Sequence, residues 1–168
     1  RTLKKECNKA NILFSTSPYS LDLVDYVDKY VSFYKIGSGD ITWHEILDKI
    51  SKKNKPLVLA TGASTLKEVS LAVKKIEKNK KEYVLMQCNT NYTNNKSNLK
   101  FINLNVLRLF KKQFPKAILG LSDHTQGHAT VLGAITLGAR VIEKHYTLNN
   151  NLNGPDHAFS MNYNSWRD

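Results

Sequence analysis

The sequence predicts an α/β fold, and within that class a parallel (β/α)8 TIM barrel of which the chain holds about six βα units. Three observations lead there. Short β-rich runs recur six times, each followed by a polar tip and then a helical pattern. The runs start about 26 residues apart, so eight such units need roughly 200 residues, an ordinary barrel length. No G-x-G-x-x-G follows any run, which weighs against the competing doubly wound open sheet.

The runs are Ile12-Leu13-Phe14, Phe33 to Ile36, Leu57 to Ala60, Tyr83 to Met86, Ala117 to Leu121 and Val141 to Glu143. Leu66, Val69, Val73 and Ile76 repeat with the rhythm of an amphipathic helix. Thr65 with Glu68, and Thr42 with Glu45, have capping-box spacing and predict helix starts. Leu107, Phe110 and Phe114 mark another helical face, ended by Pro115. Gly127 to Gly138 is rich in small residues, as a helix lying close on a sheet requires. The Asn-rich stretches Thr93 to Asn98 and Asn149 to Asn153 read as surface loops.

Composition narrows the class. A chain of 168 residues sits at the upper end of one ordinary domain. With 41% apolar and 23% charged residues it is globular, not a disordered tail. No apolar run reaches the roughly 18 residues of a membrane span, and nothing resembles a signal peptide. The chain opens at Arg1 without a Met, so it is expected to be a piece of something longer. The net charge is +11, but the Lys residues are scattered over helix faces and not interleaved with Arg and aromatics. That pattern predicts a solvated surface and no nucleic-acid partner, with a field that favours a phosphorylated or carboxylated small substrate. Cys7 and Cys88 lack metal spacing and fit a reducing cytoplasm.

The polar residues cluster where each run gives way to its helix: Ser15-Thr16-Ser17, Lys35 to Asp40, Thr61-Gly62, Asn89 to Tyr92, Ser122-Asp123-His124 and Glu143-Lys144-His145. Parallel α/β folds build active sites at these strand ends, so the tips are expected to form one. Period-two alternation sorts the side chains. Ser122 and His124 share a face that Asp123 opposes; Glu143 and His145 share a face while Lys144 points away. Two histidines ending neighbouring strands either hold a divalent metal with open positions or are hydrogen-bonded barrel histidines. His44, His128 and His157 read as helix-surface or loop histidines. Lys35 lies within an apolar run before Gly37-Ser38-Gly39-Asp40, so it either binds an anion or pairs with Asp40 or Glu143. A buried lysine also forms Schiff bases, which keeps an aldolase open. Tyr92 either faces the site or packs in its loop.

The residues themselves say more. Phe14-Ser-Thr-Ser-Pro-Tyr19, Tyr34-Lys-Ile-Gly-Ser-Gly-Asp40, Ala60-Thr-Gly62, Gly120-Leu-Ser-Asp-His-Thr125, Val141-Ile-Glu-Lys-His-Tyr-Thr147 and Gly154-Pro-Asp-His157 occur in one order. Together they resemble the sialic acid synthase family, which condenses phosphoenolpyruvate with an N-acetylated mannose-type sugar. The likeness runs from about Ile12 to Ser160. It implies a (β/α)8 barrel of which this chain holds strands three to eight. The first two strands, and a C-terminal antifreeze-like domain that caps a partner's site in a homodimer, are expected outside residues 1–168. Six strands leave two open edges, which argues against the segment folding or acting alone.

Residue by residue, the resemblance makes His124 and His145 ligands of a divalent metal, Mn2+ or Mg2+. It makes Lys35, Ser38 and Ser122 contacts of phosphoenolpyruvate, with Ser17 or Thr16 beside the phosphate. Asp40 stands where many members have Glu, and with Glu143 it is expected to act on the reacting centre. Asp156, Tyr92 and Thr90 fall at sugar-side positions. Departures are Ala60 for a serine, Thr90 for an asparagine, and Tyr92-Thr93 for Tyr-Pro. The implied activity is metal-dependent condensation with C–O cleavage and phosphate release in the cytoplasm. The acceptor is N-acetylmannosamine or a diacetamido-trideoxy hexose. The Ser38 to Trp43 run looks more like the neuraminate and legionaminate branches than the pseudaminate one. The rival readings are a class I aldolase using Lys35 and a non-catalytic barrel-derived binding module.

Overall fold

The structure, a computed structural model, describes residues 1–80, 82–92 and 95–167. Its backbone contacts divide it into two compact units, Arg1–Leu85 and Met86–Asp168.

The first unit alternates strand and helix as the run spacing predicts. After α1 (Thr2–Lys9) come β1 (Ser15–Thr16), α2 (Leu21–Asp28), β2 (Phe33–Ile36), α3 (His44–Ser51), β3 (Leu57–Ala60) and α4 (Leu66–Glu77). The three strands are parallel, with Thr16 beside Tyr34 and Lys35 beside Val58. All four residues of β3 are buried, as expected of a strand covered on both faces. Helices α3 and α4 pack on each other, and α3 buries Ile46, Leu47 and Ile50 while α4 buries Val69, Ala72, Val73 and Ile76. Each large aliphatic side chain so buried contributes roughly 1.5–3 kcal/mol. Leu66, which opens the α4 pattern, is exposed. Thr65 and Glu68 form the expected capping box, each side chain accepting from the other's backbone N–H.

Two expectations fail here. Strand β1 is Ser15–Thr16 and not Ile12 to Phe14; Ile12 and Leu13 are exposed, so apolar character alone did not recruit them to the sheet. Helix α3 starts at His44 with Trp43 as its N-cap and no side-chain cap bond, so Thr42 does not cap it. A single 3-10 turn at Ser38–Asp40 and the bond from the Trp43 N–H to the Asp40 carbonyl shift the helix start past Thr42.

Tyr34 anchors this unit. Its ring is fully buried, and its single hydroxyl proton is shared between the Val24 carbonyl at 3.0 Å and Asp28 Oδ1 at 2.7 Å. Burial and the Asp28 charge push the phenol well above its usual range. Tyr34→Phe takes a donor away from Asp28 and from the Val24 carbonyl, and should cost about 1–2 kcal/mol in chemical denaturation.

Strand β4 (Tyr83–Cys88) leads into the second unit, which holds a 3-10 helix (Lys96–Phe101), α5 (Val106–Gln113), β5 (Ala117–Asp123), α6 (Ala129–Thr136), β6 (Val141–Lys144) and α7 (Tyr163–Arg167). Leu107, Phe110 and Phe114 are buried as predicted, and α6 lies against β5 through its small residues. Strands β5 and β6 are parallel, in the register Gly120–Val141, Leu121–Ile142, Ser122–Glu143, Asp123–Lys144. The stretch read as a loop from Thr93 is a 3-10 helix from Lys96; Thr93 and Asn94 lie outside the described residues, as do Lys81 and Asp168. The Asn149 to Asn153 loop is tied down by Asn150, whose amide donates to the carbonyls of His157 and Ser160 at 2.8 Å each. Among the described residues no helix is long and apolar enough to cross a membrane.

Candidate functional site

In the first unit the expected residues follow the ends of β1 and β2. Thr16 ends β1 and Ser17 follows it; both are half-buried. Lys35 sits in β2, half-buried, not sealed as its apolar neighbours suggested. Beyond Gly37 the chain tightens into the 3-10 turn that carries Ser38 and Asp40. Ser38 Oγ accepts from the Gly62 N–H at 3.0 Å, which joins the tips of β2 and β3. A Cβ on Gly37 would lie 3.8 Å from Asp40 Oδ2, so the carboxylate folds back over its own turn.

The second unit gathers the rest. Alternation holds along both strands: Ser122 donates to Glu143 Oε1 at 2.6 Å across one rung, and the His124 and His145 rings beyond it lie 5.0 Å apart. On the opposite face the next rung is an ion pair, Lys144 Nζ to Asp123 Oδ2 at 2.7 Å, with both side chains almost wholly buried. The Lys144 ammonium also donates to the carbonyls of Thr125 and Gly127 at 2.7 and 3.0 Å, which uses all three of its protons. Asp123 in turn accepts from the Thr130 hydroxyl at 2.6 Å and from the Thr125 N–H and hydroxyl. This network clamps the turn that carries His124.

His124 is buried, and its Nδ1 lies 2.9 Å from the Asn89 carbonyl and 3.9 Å from Cys88 Sγ. A carbonyl only accepts, so Nδ1 carries the proton and Nε2 is left to bind. Burial favours the neutral ring, but Cys88, the Asn89 carbonyl and Asp123 outweigh it and hold the imidazole above its ordinary value. His145 Nδ1 lies 3.5 Å from Asp156 Oδ2. Tyr92, half-exposed, sets its ring 4.6 Å from His124 and 5.7 Å from His145, so it faces the site. Thr90 is exposed, with its hydroxyl 3.7 Å from Cys88 Sγ.

The donor chemistry suits a divalent ion. Two adjacent imidazoles, one oriented by a carbonyl and one beside a carboxylate, would supply two of the donors such an ion needs. Among the described residues no third His, Cys, Asp or Glu joins them as a ready ligand cluster. Two of the other histidines are tied into the structure: His128 Nε2 bonds to the Ser165 carbonyl and His157 Nδ1 to the Thr147 hydroxyl.

Sequence reasoning missed Phe159, which is buried and presents its ring to Tyr92, His124 and His145 at 5.0–5.9 Å. It arrives through the parallel bridge between Tyr146 and Met161, a long-range contact with no periodicity to announce it. The Asp123–Lys144 pair had a signal, since alternation set both residues on the face away from the histidines. Also unforeseen is a cleft of about 280 Å3 beside His124, walled by Asn89, Asn91, Asn95, Leu99, Ile102 and Phe159.

Comparison with known proteins bears on all of this. A model described as the NeuB family matches residues 1–168. An uncharacterized protein of Methanocaldococcus jannaschii is 38% identical over 168 residues, which is 99% of this chain and 49% of that protein. The N,N'-diacetyllegionaminic acid synthase of Campylobacter jejuni is 39% identical over 157 residues, 91% of this chain and 46% of the enzyme. Among solved structures, the N-acetylneuraminic acid synthetase of Leptospira borgpetersenii, in complex with citrate, superposes with a TM-score of 0.89. It is 29% identical and covers 98% of this chain and 56% of that one. The chain thus spans about half the length of the curated relatives it matches.

Proposed function

Since the chain belongs to the NeuB family and carries the fold of a partial (β/α)8 barrel, we propose that it serves nonulosonate synthesis, condensing phosphoenolpyruvate with an N-acetylated mannose-type sugar. The observation that carries this reading is the pairing of His124 and His145 at adjacent strand ends, above the Ser122–Glu143 rung and under Tyr92.

The roles follow from the side chains. Lys35 and the hydroxyls of Thr16, Ser17, Ser38 and Ser122 offer donors to the phosphate and carboxylate of phosphoenolpyruvate. Tyr92, Thr90 and Asp156 contact the sugar. His124 and His145 would hold a Mn2+ or Mg2+ ion, which when bound supplies Lewis-acid polarisation of an aldehyde. The enol carbon bonds to the aldehyde carbon, whose oxygen takes a proton, and C2 of the pyruvyl unit is left electron-poor. The carboxylates of Asp40 and Glu143 stabilise that charge and take a proton from the water that adds to C2. Phosphate then departs with its bridging oxygen, leaving a nine-carbon 2-keto acid. The enzyme would work in the cytoplasm, as a homodimer. A class I aldolase needs a desolvated amine, and Lys35 is only half-buried.

His145→Ala tests the proposal in the full-length protein. Its side chain is 29% exposed, so its loss should leave the fold intact. Metal-dependent phosphate release from phosphoenolpyruvate should fall by more than about 100-fold, beyond what losing an outer partner of a metal costs. Undiminished turnover would end the assignment.

A further inference from the structure

Asn153 and Gly154 form the only Asn-Gly pair in the chain, and the loop that holds them leaves the pair chemically open. The neighbouring asparagines are engaged. Asn149 Oδ1 accepts from the Asn151 N–H at 2.9 Å. Asn150 donates to the His157 and Ser160 carbonyls, and its Oδ1 accepts from the Asn162 amide at 2.7 Å. Asn153 and Gly154 are exposed and lie in a bend, and among the described residues none bonds to the Asn153 amide or to the Gly154 N–H. The glycine is fixed by its surroundings. Its φ is +149°, in the region that favours glycine, and a Cβ there would stand 2.9 Å from His157 Cδ2. The turn thus requires, directly after an asparagine, the one residue with no side chain to shield its backbone nitrogen.

We propose that Asn153–Gly154 is a site of spontaneous deamidation whose products disable the neighbouring site; the effect on turnover rests on the synthase reading. Asparagine is among the thermolabile side chains. The Gly154 nitrogen gives its proton to solvent and bonds to Asn153 Cγ, and the Cγ–Nδ2 bond breaks with ammonia as the leaving group. Water then opens the cyclic imide. Opening at Cγ leaves aspartate. Opening at the main-chain carbonyl leaves isoaspartate, with the chain routed through the side chain and longer by one carbon, about 1.5 Å. The added length falls within a closed stretch, because Asn150 holds the His157 carbonyl and Ser160 Oγ donates to the Asp156 carbonyl at 2.6 Å. Between these ties stands Asp156, whose Oδ2 lies 3.5 Å from His145 Nδ1. Isoaspartate therefore moves Asp156 away from His145, and either product adds a negative charge to the same loop.

The test holds the full-length protein warm in mildly alkaline buffer and maps its peptides by mass spectrometry. The peptide bearing Asn153 should gain about 1 Da, with fragment ions placing the gain at that residue and Asn150 unchanged. An isoaspartyl methyltransferase should label the product. Phosphate release from phosphoenolpyruvate, with manganese and either N-acetylmannosamine or 2,4-diacetamido-2,4,6-trideoxymannose, should fall in step with the converted fraction. Asn153→Gln, whose longer side chain closes the ring poorly, should keep its turnover through the same treatment. An Asn153 that stays intact, a converted protein with undiminished turnover, or an equal loss in Asn153→Gln would overturn the proposal. If fresh protein releases no phosphate with either sugar, the synthase reading fails on its own, and the mapping still decides the modification. Conversion at Asn153 then supports it, and an intact Asn153 overturns it.

Discussion

Lys144→Met should destabilise the protein by about 3–5 kcal/mol, the cost of leaving a buried charge without its partner. The Asp123 and Lys144 side chains are 3% and 1% exposed, so water cannot replace the lost ammonium. The carbonyls of Thr125 and Gly127 lose a donor at the same moment. For that reason an apolar double replacement, often neutral at simple buried pairs, should fail to restore stability here. Arginine should not rescue either, because its planar fork does not match three acceptors gathered around one point. Chemical denaturation of the single and double variants checks this. A loss below about 1 kcal/mol would mean that the pair is hydrated in solution.

Gly120→Ala should cost about 1–3 kcal/mol through overpacking. A Cβ at this position would stand 2.9 Å from Met86 Cγ and 2.9 Å from the Val141 carbonyl oxygen. The methionine is flexible and can yield. The carbonyl cannot, since Val141 is the residue paired with Gly120 in the β5–β6 register. Met86→Ala in the Gly120→Ala background should therefore recover only part of the loss. Full recovery would show that the side chain, and not the neighbouring strand, sets the constraint. Thermal unfolding of the two variants separates these outcomes.

How far the sequence carried the reading depended on the range of the interaction. Period-two alternation in Leu121 to His124 and Val141 to His145 sorted six side chains onto two faces, and the observed rungs agree. Thr65 and Glu68 were readable because a capping box is complete within four residues. Ile12 to Phe14 misled because a strand needs a partner edge as well as apolar residues, and the pairing with β2 falls on Ser15 and Thr16. Thr42 misled because the competing 3-10 turn starts upstream at Ser38. Phe159 and the cleft depend on the Tyr146–Met161 bridge and on the 3-10 helix after β4, contacts that no local pattern encodes.

Strands β5 and β6 carry opposite chemistry on successive rungs: Ser122 with Glu143, then Asp123 with Lys144. A side chain's face depends only on whether its position is odd or even, so a one-residue insertion within either strand would exchange the two sets. The ammonium would be thrust among the imidazoles and a histidine into the place of the buried ion pair. A substitution here removes one contact, whereas a frame change inverts every contact at once. A one-residue insertion would keep the two faces apart only if a bulge took up the extra residue outside these rungs.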